Sequence, residues 1–503
     1  MTAVLEIERS VAGPAPAPPA RRRSYRSAWI LAPLLVVAGL VNGWNLHGWP
    51  GRINDDEGTY VDQAWAMLDH GALAHYTYWY DHPFLGWAII AGYAGLTDGF
   101  GRAPSGVMVG REVMLIAALV SCALLWLLAR RLKFNRAWSA VAVALFALSP
   151  LAVYFHRMVF LDNLATMFML AALAAAASPR RSVGAALWSA VWFAGAALCK
   201  ETIVILLPAL VWLLVRHTDR RTRPWNLGVF GVAFVVLVSA YPVFALLKNE
   251  LVPGDGHVSL GWALWWQVFG RAGSGSLLDP SSGAYSLAHS WVDLDPWLII
   301  PGVLLVPAAL LVPRLRPIAL ALLIQVAMMC RGGYLPFAYV IALLPFAALL
   351  IAGAGDELWA WLPSWRRYLP AGAAALVAVT LVLPAWASTM IAQSRTDGSA
   401  DSRAATRWVV DHVPRDSVVV TDDYIWLDLK LAGFTKPVWL WKVDTDPEVM
   451  EEVLPAGVSS IDYIVMAGQA DSTLASLPTL RAGVAGSDVV ERFGEIEVRK
   501  VRR

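Results

Sequence analysis

Charged residues are scarce in this sequence of 503 residues. Only 16% are charged, whereas 58% are hydrophobic, and the mean hydropathy is +0.54. A soluble globular protein carries about 25% charged residues, so the composition excludes an ordinary soluble protein and predicts a protein embedded in the lipid bilayer. The net charge is only +2, which excludes a nucleic-acid-binding protein that relies on bulk positive charge.

Cysteine is scarcer still, with three residues in the sequence. Cys122, Cys199 and Cys330 each lie within or at the end of an apolar run. Their number and placement exclude a disulfide framework and a cysteine-based zinc site. We therefore predict that all three pack as small apolar side chains.

Most of the remaining charge lies near the C-terminal end. Thirteen basic and 18 acidic residues occur among the 109 residues from 395 to 503, whereas the preceding 394 residues carry 47 charges in all. This distribution predicts a transmembrane domain at residues 27–394 followed by a soluble domain at residues 395–503. Residues 1–26, which contain several prolines, are predicted to be a disordered cytoplasmic tail.

Apolar runs that approach the length of a membrane span, about 20 residues, recur through the transmembrane domain. Lysine and arginine accumulate in cytoplasmic loops. Here basic clusters precede the first run and occupy alternate loops after it, so the N-terminus is predicted to be cytoplasmic. The roughly eleven predicted spans lie near residues 28–45, 107–129, 137–155, 163–177, 183–199, 201–216, 226–247, 297–313, 317–331, 334–354 and 370–391. The basic loops contain Arg130 and Arg131, Arg180 and Arg181, Arg216 and Arg220, Arg314 and Arg316, and Arg366 and Arg367.

This topology places three segments outside the cytoplasm: a loop near 46–106, a loop near 248–296, and the C-terminal domain. The apolar run at 84–96 is too short to span and is predicted to lie at the interface or to re-enter. In the C-terminal domain, helical and strand-like runs alternate, which predicts a small α/β fold. Asp422 and Asp423 follow its first strand and indicate either a metal or ribose site or, as we favour, a helix N-cap.

The first outer loop begins with three adjacent acids, Asp55, Asp56 and Glu57. Mutual repulsion near low-dielectric material should raise the pKa of at least one of them, which suits a general base or a metal ligand. A solvated acidic turn is the alternative. Aromatic residues then surround His82, and their rings are suited either to packing against a sugar or to an interfacial aromatic belt.

Three further groups of ionisable residues fall on the same outer face. Arg157 and Asp162 lie five apart at membrane depth, where an unpaired charge is costly and a functional site is the default expectation. Lys200 precedes Glu201 between two apolar runs. Arg331 precedes two glycines and has the planar fork that binds phosphate. Taken singly, Lys200 and Arg331 are equally well explained as cations that reach towards the interface.

The order of these motifs resembles the GT-C glycosyltransferases, in particular the group of protein O-mannosyltransferases and lipid A aminoarabinose transferases. That group carries Asp-Glu-x-x-Tyr in its first outer loop, matched here by Asp56, Glu57 and Tyr60. It continues with Lys or His before Pro-Pro-Leu. The match here is His82 and the proline after it, with phenylalanine in place of the second proline.

The later motifs of the group also occur in order. An arginine opens the second span, here Arg111. An arginine and an aspartate five apart follow, here Arg157 and Asp162, and then a lysine before a leucine- and proline-rich span, here Lys200. Beyond this point the resemblance is loose.

The resemblance implies a polytopic α-helical GT-C fold and a membrane glycosyltransferase. Its donor would be a polyprenyl-phosphate-linked sugar, its acceptor a protein, lipid or envelope glycan outside the cytoplasm, and transfer would invert the anomeric centre. The absence of a glycine-rich nucleotide loop from the sequence is consistent with such a donor. The expected location is the plasma (inner) membrane.

The resemblance also implies roles for individual residues. Asp56 would be the general base, with Glu57 beside it in the catalytic motif. No cofactor is certain, but a divalent cation is compatible with Asp55, Asp56 and Asp162. A secondary transporter is the main alternative function. The residues expected to bind the donor phosphate or the substrate are Tyr60, His82, Arg111, Arg157, Asp162, Lys200 and Arg331.

Overall fold

A computed structural model describes residues 27–51, 54–254, 257–468 and 471–502. The predicted disordered tail lies outside these residues. The described chain is mostly helical, with one small sheet near its C-terminal end.

The described residues up to position 394 are mostly helical. The α-helices are α1 Ala28–Gly43, α2 Asp55–Asp69, α3 Leu85–Thr97, α4 Gly99–Arg102, α5 Gly106–Arg131, α6 Arg136–Leu148, α7 Pro150–Arg157, α8 Leu161–Ala176, α9 Val183–Cys199, α10 Leu207–Arg216, α11 Arg223–Val238, α12 Ala240–Leu247, α13 Leu260–Trp265, α14 Gly283–Leu294, α15 Pro296–Leu304, α16 Val306–Leu311, α17 Arg316–Cys330, α18 Leu344–Trp361, α19 Tyr368–Val377 and α20 Leu383–Ser394. Shorter 3₁₀ turns span Glu201–Leu206, Phe337–Ala342 and Ser364–Arg366, and π turns span Trp266–Gly270 and Ala378–Val382.

Each predicted span coincides with helix, but few of these helices are long. Within the part of the chain that the structure describes, four are long and apolar enough to cross a bilayer, namely Gly106–Arg131, Arg223–Leu247, Phe337–Trp361 and Tyr368–Ser394. A fifth is obtained if α6 and α7, which bend by 59° at their junction, form one span. Pro150 begins α7 and supplies no backbone N–H to continue the hydrogen bonds of α6, which accounts for the break. The short run near 84–96 is α3, whose Trp87 and Ile90 are buried.

The basic loops meet at one end of the helices. Arg314 forms an ion pair with Asp356 at 2.7 Å, and its Nη1 donates to the carbonyl of Lys133 at 3.2 Å. Arg181, in a second basic loop, lies 3.2 Å from Asp219, which belongs to the loop that contains Arg216 and Arg220. Loops that are far apart in the sequence are therefore joined at this end by the cations used to predict the topology.

The C-terminal residues form an α/β unit. Its helices are α21 Ala400–His412, α22 Asp423–Leu431, α23 Asp471–Ser476 and α24 Pro478–Ala485, with short 3₁₀ or π turns at Leu440–Lys442, Val449–Val453 and Gly457–Ser460. Its strands are β1 Val418–Thr421, β2 Lys436–Trp439, β3 Tyr463–Ala467, β4 Ser487–Phe493 and β5 Ile496–Val501. The strand order is β2-β1-β3-β5-β4. The first three strands are parallel, and β5 and β4 are antiparallel to their neighbours.

Candidate active site

Helix α2 carries the three adjacent acids of the first outer loop on three different faces. The helix begins after Asn54, whose side chain accepts a hydrogen bond of 2.9 Å from the backbone N–H of Asp56 and so caps it. Successive residues of an α-helix are about 100° apart around the axis. Asp55, Asp56 and Glu57 therefore point towards different neighbours, and each has a different environment.

Glu57 points towards α5 and is completely buried. Its carboxylate accepts hydrogen bonds from Arg111 Nε at 2.9 Å, Arg111 Nη2 at 2.7 Å and the backbone N–H of Val159 at 2.9 Å. The remaining nitrogen of Arg111 donates to the carbonyls of Leu46 and Pro50. Both predicted site residues thus bind each other and the backbone, and with 0% and 1% exposure they do not reach an open surface.

Asp55 points towards the C-terminal α/β unit. The indole Nε1 of Trp441 donates to its carboxylate at 2.9 Å. One turn further along α2, the hydroxyl of Thr59 donates to the carboxylate of Asp423. Burial raises the pKa of Asp55, and the neighbouring Asp56 raises it further, against the lowering effect of the Trp441 hydrogen bond.

Asp422 and Asp423 were expected to cap a helix, and the structure corrects this expectation in part. Asp422 occupies the N-cap position of α22, but its side chain makes no capping hydrogen bond. Its carboxylate instead accepts from the hydroxyl of Tyr424 at 2.8 Å and from the backbone N–H of Ala467 at 2.9 Å. The contact with Ala467 could not be predicted from sequence order, since Ala467 lies on another strand of the sheet.

Asp56 is the exposed member of the acidic triplet. One turn further along the same face of α2, Tyr60 packs edge-on against the imidazole of His82, with ring centroids 5.9 Å apart. The ammonium of Lys200 lies 5.9 Å from the centre of the same tyrosine ring. This face of α2 is therefore directed towards a histidine and a lysine that come from distant parts of the chain.

His82, Lys200, Glu201 and Asp162 form a chain of polar contacts. Lys200 Nζ lies 2.7 Å from His82 Nε2, and His82 Nδ1 lies 3.1 Å from a carboxylate oxygen of Glu201. Lys200 Nζ is also 4.0 Å from the carboxylate of Asp162. Four ionisable residues thus come together from the loop between α2 and α3, the end of α9, the following 3₁₀ turn and the start of α8. They meet the face of α2 that carries Asp56 through the ring of Tyr60.

Tyrosines of the outer loop hold His82 in place through its backbone. The hydroxyl of Tyr78 donates to the carbonyl of His82 at 2.7 Å, and the hydroxyl of Tyr241, on α12, reaches the same carbonyl at 3.2 Å. Tyr76 and Tyr80 are buried. These residues pack the loop against the helices, which differs from both a sugar-binding platform and an exposed aromatic belt.

Two arginines expected near phosphate lie outside this chain of contacts. Arg157 is 1% exposed and stacks over the ring of Trp49 at 4.8 Å. Its Nη1 donates to the carbonyl of Val41 at 3.5 Å, but Nε and Nη2 have no partner among the described residues. Arg331 is exposed at the end of α17, close enough for its charge to act on Tyr339.

A narrow cleft adjoins Asp162 and Lys200 between α8, α17 and the 3₁₀ turns at Glu201–Leu206 and Phe337–Ala342. Its walls are mostly apolar, with the amide of Gln325 and the phenol of Tyr339 among them. The lining residues are Asp162, Ala165, Thr166, Lys200, Thr202, Ile203, Ile205, Leu206, Gln325, Tyr339 and Ala342.

The candidate metal ligands are not gathered at one point. Asp55 faces Trp441, Asp56 is exposed on the next face of α2, and Asp162 lies beside Lys200. Within the described parts of the chain, no group of three or more histidine, cysteine, aspartate or glutamate side chains is arranged to hold a metal ion.

Comparison with known proteins identifies the class of fold. Residues 81–245, about a third of the chain, match the family model described as dolichyl-phosphate-mannose-protein mannosyltransferase. No curated protein matches the sequence at a significant level. Several solved structures match in fold, and these are membrane glycosyltransferases of the GT-C type. The resemblance inferred from the motifs is thereby confirmed, as is a mostly helical membrane-protein fold with a small sheet.

Two solved structures illustrate the match. ArnT from Cupriavidus metallidurans, bound to undecaprenyl phosphate, has a TM-score of 0.59 at 16% identity, with 95% of this chain and 98% of that chain covered. The archaeal oligosaccharyltransferase AglB from Archaeoglobus fulgidus, in complex with an inhibitory peptide and a dolichol-phosphate, has a TM-score of 0.53 at 14% identity, with 88% and 70% covered. At these identities the likeness concerns the fold.

Proposed function

We propose that this protein is a membrane glycosyltransferase that moves a sugar from a polyprenyl-phosphate-linked donor to an acceptor outside the cytoplasm. Transfer inverts the anomeric centre in one displacement, and Asp56 acts as the general base. The observation that carries the proposal is the exposed carboxylate of Asp56 on the face of α2 that is directed towards His82 and Lys200. The family match over residues 81–245 supports the same reaction class.

The site suits this chemistry because it provides two separate groups, the carboxylate of Asp56 and the ammonium of Lys200. Asp56 takes the proton from the acceptor hydroxyl as its oxygen attacks the anomeric carbon. The bond to the donor phosphate breaks, and Lys200 stabilises the lipid phosphate that departs.

Other residues of the motifs take supporting roles in this proposal. Glu57 and Arg111 orient α2 through their buried ion pair and do not touch substrate, which revises the catalytic and substrate-binding roles that the resemblance implies for them. Tyr60 and Asp162 shape the space around Lys200. Arg157 remains a candidate for phosphate through its unpartnered nitrogens, and Arg331 through its exposure near the cleft.

The proposed topology has a cytoplasmic N-terminus and places the C-terminal α/β domain, residues 395–503, on the outer side. Supporting this, the basic loops and the candidate site occupy opposite ends of the helices. A secondary transporter is less well supported, since transporters place ionisable residues near the middle of the membrane, whereas Asp56, His82 and Lys200 lie at helix ends or in loops.

Mass spectrometry of envelope glycans and glycoproteins tests the proposal. A deletion strain should lack one glycan modification, and the wild-type gene should restore it. Asp56→Asn should reduce restoration by about 10²–10⁴-fold because the base is lost while the shape is kept. Asp69→Asn, at the far and exposed end of α2, is the matched control and should restore it fully. Full activity of Asp56→Asn, or an unchanged glycan profile in the deletion strain, would refute the proposal.

A further inference from the structure

The C-terminal α/β domain contacts α2 through the carboxyl ends of its parallel strands. Trp441, just after β2, donates to Asp55, and Trp439, the last residue of β2, donates to Asp62 at 2.8 Å. Thr59 completes the row through its hydrogen bond to Asp423, the first residue of α22 after β1. Residues spaced four and three apart lie on one face of a helix. The domain therefore forms hydrogen bonds with a single face of α2 over two turns.

At Gly58, helix α2 and the C-terminal domain approach each other backbone to backbone. A Cβ atom built on Gly58 would lie 2.3 Å from the carbonyl carbon of Asp423 and 2.3 Å from the backbone nitrogen of Tyr424. No side chain fits in that space, so the glycine within the acidic motif lets α2 lie directly on the start of α22. Gly106 makes a second close approach, to the side chain of Leu427.

The contact with α2 lies at the carboxyl ends of the parallel strands of the α/β domain. In open sheets of parallel strands, the crevice at the carboxyl ends is the usual ligand-binding place. Here that end is occupied by α2, and the side chains that would face a ligand bind Asp55, Thr59 and Asp62 instead. The edge at which such a sheet usually binds a ligand thus contacts the helix that carries Asp56.

We propose that Trp441 and Asp55 are positioning residues for the carboxylate of Asp56. The inference rests on the proposed function and extends it to the C-terminal domain. Asp55 and Asp56 are consecutive residues in the first turn of α2, where helices fray most readily. The hydrogen bond from Trp441 fixes the rotation of this turn about the helix axis, and with it the direction of the Asp56 side chain. A displacement of about 1 Å of a reacting group can cost about 10²-fold in rate.

Trp441→Phe tests the proposal, because it keeps an aromatic ring and removes the indole N–H. In the purified full-length protein, with the donor and acceptor identified by the glycan analysis, kcat should fall about 10- to 100-fold while KM for the donor changes little. Trp408→Phe, on α21 of the same domain, is the matched control and should keep both constants. The thermal unfolding midpoint should be alike in the two variants.

A double-mutant cycle separates positioning from a general loss of packing. Asp55→Ala should lose about as much rate as Trp441→Phe, and the double variant should lose no more than either single one, because both remove the same hydrogen bond. Asp55→Asn keeps an oxygen acceptor and should recover much of the rate lost in Asp55→Ala. Losses that multiply, or a Trp441→Phe rate equal to that of Trp408→Phe, would overturn the proposal.

These outcomes are distinguishable from failure of the proposed function. If the wild-type protein transfers sugar and Asp56→Asn does not, but Trp441→Phe is fully active, only the positioning role is refuted. If the wild-type protein transfers no sugar from a polyprenyl-phosphate donor, the proposed function itself fails.

Discussion

At the scale of single residues, the contact between His82 and Lys200 assigns each a different task. A charged lysine has donors and no acceptor, so at 2.7 Å its ammonium donates to His82 Nε2. The other nitrogen, Nδ1, then carries the proton and donates to Glu201. His82 stands where the resembling family has lysine or histidine. In this arrangement the cation is Lys200, which lies over the ring of Tyr60 one turn along α2 from Asp56, and the imidazole supports it.

Lys200→Ala should therefore impair donor use more than His82→Ala does. A charge-assisted hydrogen bond to a partly buried phosphate is worth about 1.5–3 kcal/mol, or about 10- to 150-fold in affinity. Binding of a polyprenyl phosphate to the purified protein measures the effect directly. Lys248→Ala, at the exposed end of α12, is the control and should bind normally. Equal weakening by Lys200→Ala and His82→Ala, or a loss of thermal stability that matches the loss of binding, would contradict this assignment.

The residues of the acidic triplet show how far sequence reasoning reaches at this scale. Motif spacing singles out Asp56, and the periodicity of a helix already predicts that its neighbours point elsewhere. The partners of these acids could not be predicted, because Trp441 is 386 positions from Asp55 and nothing in the local sequence links the two. Likewise, the pairing of Glu57 with Arg111 requires knowing that α2 and α5 lie side by side.

At the scale of elements, the sequence predicts the helices and strands that have a hydrophobic pattern and misses the features that such a pattern does not mark. The strand-like runs of the C-terminal domain, near residues 418–421, 438–441, 463–466 and 495–501, correspond to β1, β2, β3 and β5, which contain buried apolar residues. β4, Ser487–Phe493, was missed because it is an exposed edge strand with charged residues and no alternating apolar pattern. The bend between α6 and α7 was missed for a different reason, since the apolar run continues across Pro150.

The contact between α2 and the sheet buries several carboxyl groups, and this predicts a pH-dependent stability. Burial raises the pKa of Asp422 from 3.8 to about 7, with the charge of Asp55 adding to the shift. Burial and Asp55 also raise the pKa of Asp423, against the effects of Thr59 and Lys442. The unfolded chain releases these protons near pH 4, whereas the folded chain retains them to higher pH.

Stability of the docked domain should therefore be greatest near pH 4 and should decrease as pH rises through 7, since the folded state binds more protons over this interval. Thermal unfolding of the full-length protein in detergent, recorded by tryptophan fluorescence from pH 4 to 8, measures this. Asp422→Asn retains an oxygen that can accept the hydrogen bonds of Tyr424 and Ala467, but it does not titrate. Its unfolding midpoint should depend less on pH than that of the wild type, and an equal dependence would refute the prediction.

At the scale of the whole molecule, the site and the basic loops lie at opposite ends of one helical body. The chain after α1 meets the end of α20, where Asn45 Nδ2 donates to the carbonyl of Ser394 at 2.9 Å and Gly398 N–H donates to the carbonyl of Gly48 at 2.9 Å. The C-terminal domain follows directly and docks on α2. The candidate site and this domain are thus assembled on one side, whichever way the protein faces.

Accessibility of single cysteines in intact cells determines which way it faces. In a variant with Cys330 replaced by alanine, Cys122 and Cys199 remain buried and should give little background. Gly468→Cys, in the C-terminal domain, and Gly254→Cys, after α12, are both exposed positions and should react with a membrane-impermeant thiol reagent. Ser182→Cys, exposed beside Arg181 at the basic end, should react only after the membrane is permeabilised, because basic loops are retained in the cytoplasm. Labelling of Ser182→Cys alone in intact cells would invert the orientation, and an outer-face reaction with a lipid-linked donor would then be excluded.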